Sequence, residues 1–112
     1  MSFGRALARL ASLSAVAGVA AAQSFVVPQS LWDHPRTGRA VLEQSAIRDA
    51  VKAHLEHEGS RLVLHHGSTE EALLRAEELR AWLTALALEP SRMTLQNDLG
   101  TDDPLRFEVV RP

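Results

Sequence analysis

RLVLHHGSTEEALLRAEELRAWL, residues 61–83, changes its apolar spacing once, and that change decides the fold. Over RLVLHH (61–66) the side chains alternate. Leu62 and Leu64 share one face, while Val63 and His65 share the other, as a strand requires. Beyond Gly67 the spacing becomes helical: Ala72, Ala76, Leu79, Leu83 and Leu86 form one apolar stripe, widened by Leu73 and Trp82. Ser68, with Glu71 three residues later, has the pattern of a capping box, so Ser68 is expected to cap this helix. A strand that feeds directly into an amphipathic helix is the first part of a strand-helix-strand unit.

Upstream, Ile47, Ala50, Val51 and Leu55 predict a helix from Ser45 to His57, with Ser45 as N-cap. Gly59 is placed to end it in a left-handed conformation. Phe25, Val26 and Val27 form a short strand stopped by Pro28. QSLWDHPRTG (29–38) follows as a loop with Leu31 and Trp32 tucked against the body. Downstream, Pro90 stops the second helix, SRMTL (91–95) is a strand, and NDLGTDDP (97–104) is an acidic, turn-rich loop. LRFEVV (105–110) is the last strand, with Leu105, Phe107 and Val109 on its buried face. This order predicts an α/β (α+β) sandwich with two helices packed on one face of a single mixed sheet of about four strands. Ile47, Val51, Leu55, Leu62, Leu64, Leu79, Leu83 and Phe107 are the expected core.

The first 22 residues read as a cleaved signal peptide rather than as part of this domain. Arg5 and Arg9 precede an uncharged apolar run from Leu10 to Val19, and Ala20 and Ala22 supply the small residues of a cleavage site before Gln23. The run is shorter than the ~20 residues a bilayer span needs. Residues 23–112 are then one domain, placed in the periplasm, with no membrane span after cleavage. Losing the two arginines takes the formal net charge from -2 to -4, with both signs interspersed, which argues against a nucleic-acid partner or an anionic-membrane surface. With no cysteine, the chain has no lipid attachment of the lipoprotein kind and no disulfide.

Chemistry-bearing motifs are sparse. His54 and His57 lie one helical turn apart, and His65 and His66 follow, so these four are the candidate metal ligands. His54 sits seven residues after Ile47 on the same helical face, however, and lining the core edge is the preferred reading. Neither HExxH nor a serine elbow nor a phosphate-binding glycine loop occurs. No metal, cofactor or catalytic residue is assigned, and an enzyme is not expected.

Read in order, residues 25–112 resemble the OmpA-like peptidoglycan-binding domain family. AVLEQSAIRDAVKAHL (40–55) resembles that family's first helix. RLVLHHG (61–67) is similar to its signature strand, with His66 at the signature histidine. EALLRAEELRAWL (71–83) resembles the second helix, with Arg75 and Ala76 on the Arg-Ala pair, and EPSRMTL and LRFEVV resemble the last two strands. The resemblance implies the βαβαβ-β order. It also implies a ligand, the diaminopimelate part of the stem peptide, held between an aspartate and the arginine, with Arg75, Ser68 and His66 as the matching site. The aspartate itself is not matched: Ser68 lies near its place, the loop that normally follows is largely missing, and so is the Asn before the second helix.

Two uses follow. With half of the clamp missing, the first expectation is a structural or interaction module contacting an envelope protein partner through a sheet edge or the Trp32 loop. The alternative is peptidoglycan binding through an altered site that uses Arg75 with Glu70, Glu71 or Asp98; histidine-based metal binding is a minor alternative.

Overall fold

The computed structural model describes residues 22–112. Four strands, β1 (Ala22–Val26), β2 (Arg61–Gly67), β3 (Met93–Leu99) and β4 (Arg106–Val110), form one sheet in the order β1-β4-β2-β3. β4 is antiparallel to both β1 and β2, and β3 is parallel to β2, so the sheet is mixed as expected. Three helices accompany it: α1 (Gly38–Glu43), α2 (Ser45–Glu56) and α3 (Glu70–Ala85). The helix expected from Ser45 to His57 is α2, whereas the stretch 40–55 that resembles a first helix is divided between α1 and α2 at Gln44, whose backbone is extended. The export segment lies outside the described residues, and the expected cut after Ala22 falls at the first residue of β1.

Alternation along the strands puts Leu62, Leu64, Phe107, Val109 and Met93 on the covered face, where they pack with Val41, Ile47, Ala50, Leu79 and Leu83 from the helices. All three helices therefore contribute to one core on one face of the sheet. Ser24, Val26, Thr94, Gln96 and Asp98 occupy the opposite face or its edges, and all are exposed. Among the described residues no helix is long and apolar enough to cross a membrane.

Several sequence expectations are corrected. Leu55 is 69% exposed rather than core, because α2 ends one residue later and its last turn overhangs the packing. Val51 is half-buried against the core. Ser45 is the first helical residue, and the capping position belongs to Gln44, without a side-chain bond. The N-cap of α3 is Thr69, whose hydroxyl accepts from the Ala72 amide at 3.1 Å, and Ser68 is exposed in the turn. Gly59 does adopt the left-handed region, at φ 83°, just past α2. α3 stops before Pro90, where Ala87 turns left-handed at φ 78°. β3 continues through Asn97 and Asp98 to Leu99, residues whose turn propensity is overridden by pairing with β2.

The C-terminal end of α2 holds a buried polar pair. Ser60 is fully buried; its hydroxyl donates to the His54 carbonyl at 2.9 Å and lies 2.7 Å from His54 Nδ1. A hydroxyl has one hydrogen, so Nδ1–H is the donor in the second bond. Burial, and secondly repulsion from Arg92, lowers the His54 pKa below the ordinary imidazole value. The folded state therefore favours the neutral ring. Its contribution to stability is complete above the unfolded value of about 6.5 and is lost as pH falls through the folded value. The urea midpoint should drop as pH falls below the unfolded value of about 6.5, and His54→Asn should flatten that dependence. An unchanged slope in the variant would remove His54 from the account.

Candidate functional site

β2 and β3 run parallel, and the crevice beyond the carboxyl ends of parallel strands is where open sheets place ligands. Here that crevice is a cleft of about 270 Å³. Gly67 and Thr69 from the β2-to-α3 turn line it, together with Glu71, Ala72 and Arg75 from the first turns of α3. Thr101, Asp102 and Asp103 from the β3–β4 loop, Leu105, and Gln29 and Trp32 complete the lining. Gly67 is required by close approach: a Cβ there would stand 2.9 Å from the Gly100 carbonyl oxygen, at the point where β2 and β3 slip register. The β3–β4 loop can therefore lie directly against the end of β2. Asp103 ties that loop off by accepting from the Gly100 amide at 2.8 Å.

Arg75 is the cleft's cation. Its Nη1 donates to Gln29 Oε1 at 3.1 Å, its Nη2 pairs with Glu71, and its guanidinium lies 5.3 Å from the Trp32 ring centroid. Such stacking favours arginine over lysine because the planar group keeps edge donors available. Trp32 belongs to the 3-10 turn Gln29–Asp33, which is anchored in the core by Leu31. Arg36, just after that turn, sits 5.1 Å from the same ring and pairs through Nε and Nη2 with the Glu78 carboxylate of α3. Glu78 is held below the usual carboxylate range, chiefly by the hydrogen bond from Arg36 and then by one from Trp82; burial opposes these. The same pairing raises Arg36. Because Glu78 is depressed, the pair is intact above the ordinary carboxylate value and is lost as pH falls through the folded value.

The residues matched by resemblance separate. Arg75 lines the cleft. His66 is buried on the covered face, its Nδ1–H donating to the Gly67 carbonyl at 2.8 Å, and it does not line the cleft. Ser68 does not line it either, and Thr69 takes that place. Of the acidic partners considered for Arg75, Glu71 reaches it. Glu70 is exposed at the helix start, and Asp98 lies on the uncovered face. Asp102 and Asp103, given in sequence only as turn residues, line the cleft instead.

The histidines do not converge. His65 sits between two carboxylates on the uncovered face, Nδ1 at 2.8 Å from Asp98 and Nε2 at 3.0 Å from Glu108. His66 faces the opposite way, and His54 and His57 line a separate groove near Arg92. Among the described residues no group of three or more acidic or histidine side chains is arranged to hold a metal ion. A scan against protein-family models and searches of curated proteins and of solved structures return no match for this chain.

Proposed function

We propose that this chain is a non-catalytic binding module of the cell envelope, and that its cleft takes the zwitterionic, amino-acid end of a peptide of the kind carried by peptidoglycan stems. One observation carries the reading: Arg75 and the two carboxylates Asp102 and Asp103, from separate elements, line one cleft. The guanidinium suits a ligand carboxylate, and the acidic loop suits its ammonium group. The sequence lacks the aspartate expected after the signature strand, but the β3–β4 loop brings negative charge to the same cleft by another route. With the N-terminal segment read as an export signal, the module would act in the periplasm.

The test is retention of the mature domain on purified diaminopimelate-type sacculi at fixed salt. Wild type should be retained, and Asp102→Asn, which removes charge without removing a hydrogen bond made within the protein, should weaken retention by about three- to tenfold. Wild type that fails to bind, or an Asp102→Asn variant that binds equally well, would defeat the reading.

The protein-partner reading is supported by a different feature. β3 pairs only with β2 within the described sheet, which leaves its outer edge free for an added strand. Val26, 53% exposed on β1, adds an apolar position at the opposite edge. The Trp32 loop suits this role less, being clamped onto α3 by Arg36 and Arg75. Retention on an envelope-protein fraction but not on sacculi would favour this second use.

A further inference from the structure

Resting on the cleft reading above, we propose that Arg36 is a positioning residue. Its pairing with Glu78 latches the segment carrying Trp32 onto α3, and that latch sets the geometry of Arg75 inside the cleft. Arg36 is outside the cleft lining and would not touch a ligand there. It nevertheless connects two elements at once. Nε and Nη2 engage Glu78, while Nη1 donates to the carbonyls of His34 at 3.0 Å and Trp32 at 3.4 Å. Glu78 is itself oriented from a second side by Trp82 Nε1, at 3.3 Å.

The segment from Gln29 to Arg36 is thus fastened to α3 at two points, Gln29 on Arg75 and Arg36 on Glu78. Trp32 lies between them with both guanidiniums against its ring. Arg75 and Glu78 are three residues apart on the helix, so they are neighbours on one face. If Arg36 lets go, Trp32 loses one of its two cations and its carbonyl clamp together, and Arg75 loses the fixed surface that orients its guanidinium plane. An ordinary exposed ion pair would have no such reach, because its loss would leave both Trp32 and Arg75 where they are.

Lysine keeps the charge of Arg36 but cannot bridge a carboxylate and two carbonyls with one planar group. Arg36→Lys and Glu78→Gln should therefore act alike. In a Trp82→Phe background, used for the emission measurement alone and compared with its own Arg36 parent because it removes one contact to Glu78, Trp32 is the chain's only tryptophan and its emission reports the segment directly. Both variants should shift that emission to the red, move the Arg75 Nε–H resonance in nitrogen-15 spectra, and weaken sacculus retention about three- to tenfold. The denaturation midpoint should change little.

Unshifted Trp32 emission, or shifted emission with an unmoved Arg75 resonance, would overturn the latch whatever the sacculi do. Shifts in both signals with wild-type retention preserved would also overturn its control of the cleft. Wild type that does not bind sacculi, with both spectroscopic shifts present, would instead defeat the ligand reading and leave the latch standing.

Discussion

Leu83→Ala should lower the free energy of unfolding by about 2–5 kcal/mol, whereas Leu55→Ala should change it by less than about 0.5 kcal/mol. Both are leucines near the C-terminal end of a helix, and both fall on a stripe of apolar residues at helical spacing. Leu83 is wholly inaccessible in the central cluster with Leu62, Leu64 and Phe107, so truncation removes contacts and leaves a cavity that rigid neighbours fill only in part. Leu55 already stands in solvent. A domain of this size is stable by about 5–15 kcal/mol, so the loss at Leu83 alone would take a large share of that total. Urea denaturation of the two variants measures the contrast directly. Equal midpoints would mean that the register of α3 on the sheet is wrong.

Arg75→Ala should reduce sacculus retention by thirtyfold or more, the equivalent of about 2–5 kcal/mol, without unfolding the domain. The side chain is only partly exposed, and three groups orient it: Gln29, Glu71 and the Trp32 ring. A ligand carboxylate entering the cleft would meet a guanidinium whose ordering has already been completed, which is the condition under which a charged anchor contributes most. Removing it leaves a cleft lined by Glu71, Asp102 and Asp103 with no cation, and a carboxylate is then repelled rather than held. The binding curve of Arg75→Ala should also depend less on salt, because the charge that attracts the ligand carboxylate is gone and only the contact to its ammonium group remains. Retention equal to wild type would transfer the activity to another surface, the free edge of β3 being the first to examine.

Most of the sheet was legible because its strands alternate cleanly and because a strand-to-helix switch occurs at Gly67. The misread positions have specific causes. Leu55 satisfies helical spacing, but spacing does not reveal that a helix outruns the sheet beneath it. Asn97 and Asp98 favour turns locally, yet one side of β3 is solvated, so polar side chains are tolerated there while the backbone pairs with β2. Ser68 and Thr69 are both competent caps, and only the geometry of the Gly67 turn selects between them. The cleft was half legible. Arg75 could be placed from its motif, but Asp102 and Asp103 are about 27 residues downstream in a loop with turn-like composition. Their relation to Arg75 depends on β3 lying beside β2, which no local pattern states. Arg36, likewise, is one arginine among many until the 3-10 turn carries it to Glu78.

The position of β4 between β1 and β2 fixes the timing of assembly. Among the described strands β1 pairs with β4 alone, and the Ser24–Arg106 contact joins residues 82 positions apart, so β1 must wait for the last strand. The β2–α3–β3 unit can form from nearby sequence, but the two halves of the sheet can join only when the C-terminal strand slides between them. Closing so long a loop before its contacts are rewarded makes folding slow relative to a helical domain of equal length. During that interval the flanks of β1 and β2 that β4 will cover are bare strand edges, available to another copy of the chain. Refolding yield should consequently fall as protein concentration rises, while a covalently supplied, pre-positioned β4 (as in a circular permutant joining Val110 to Ala22) should raise both rate and yield.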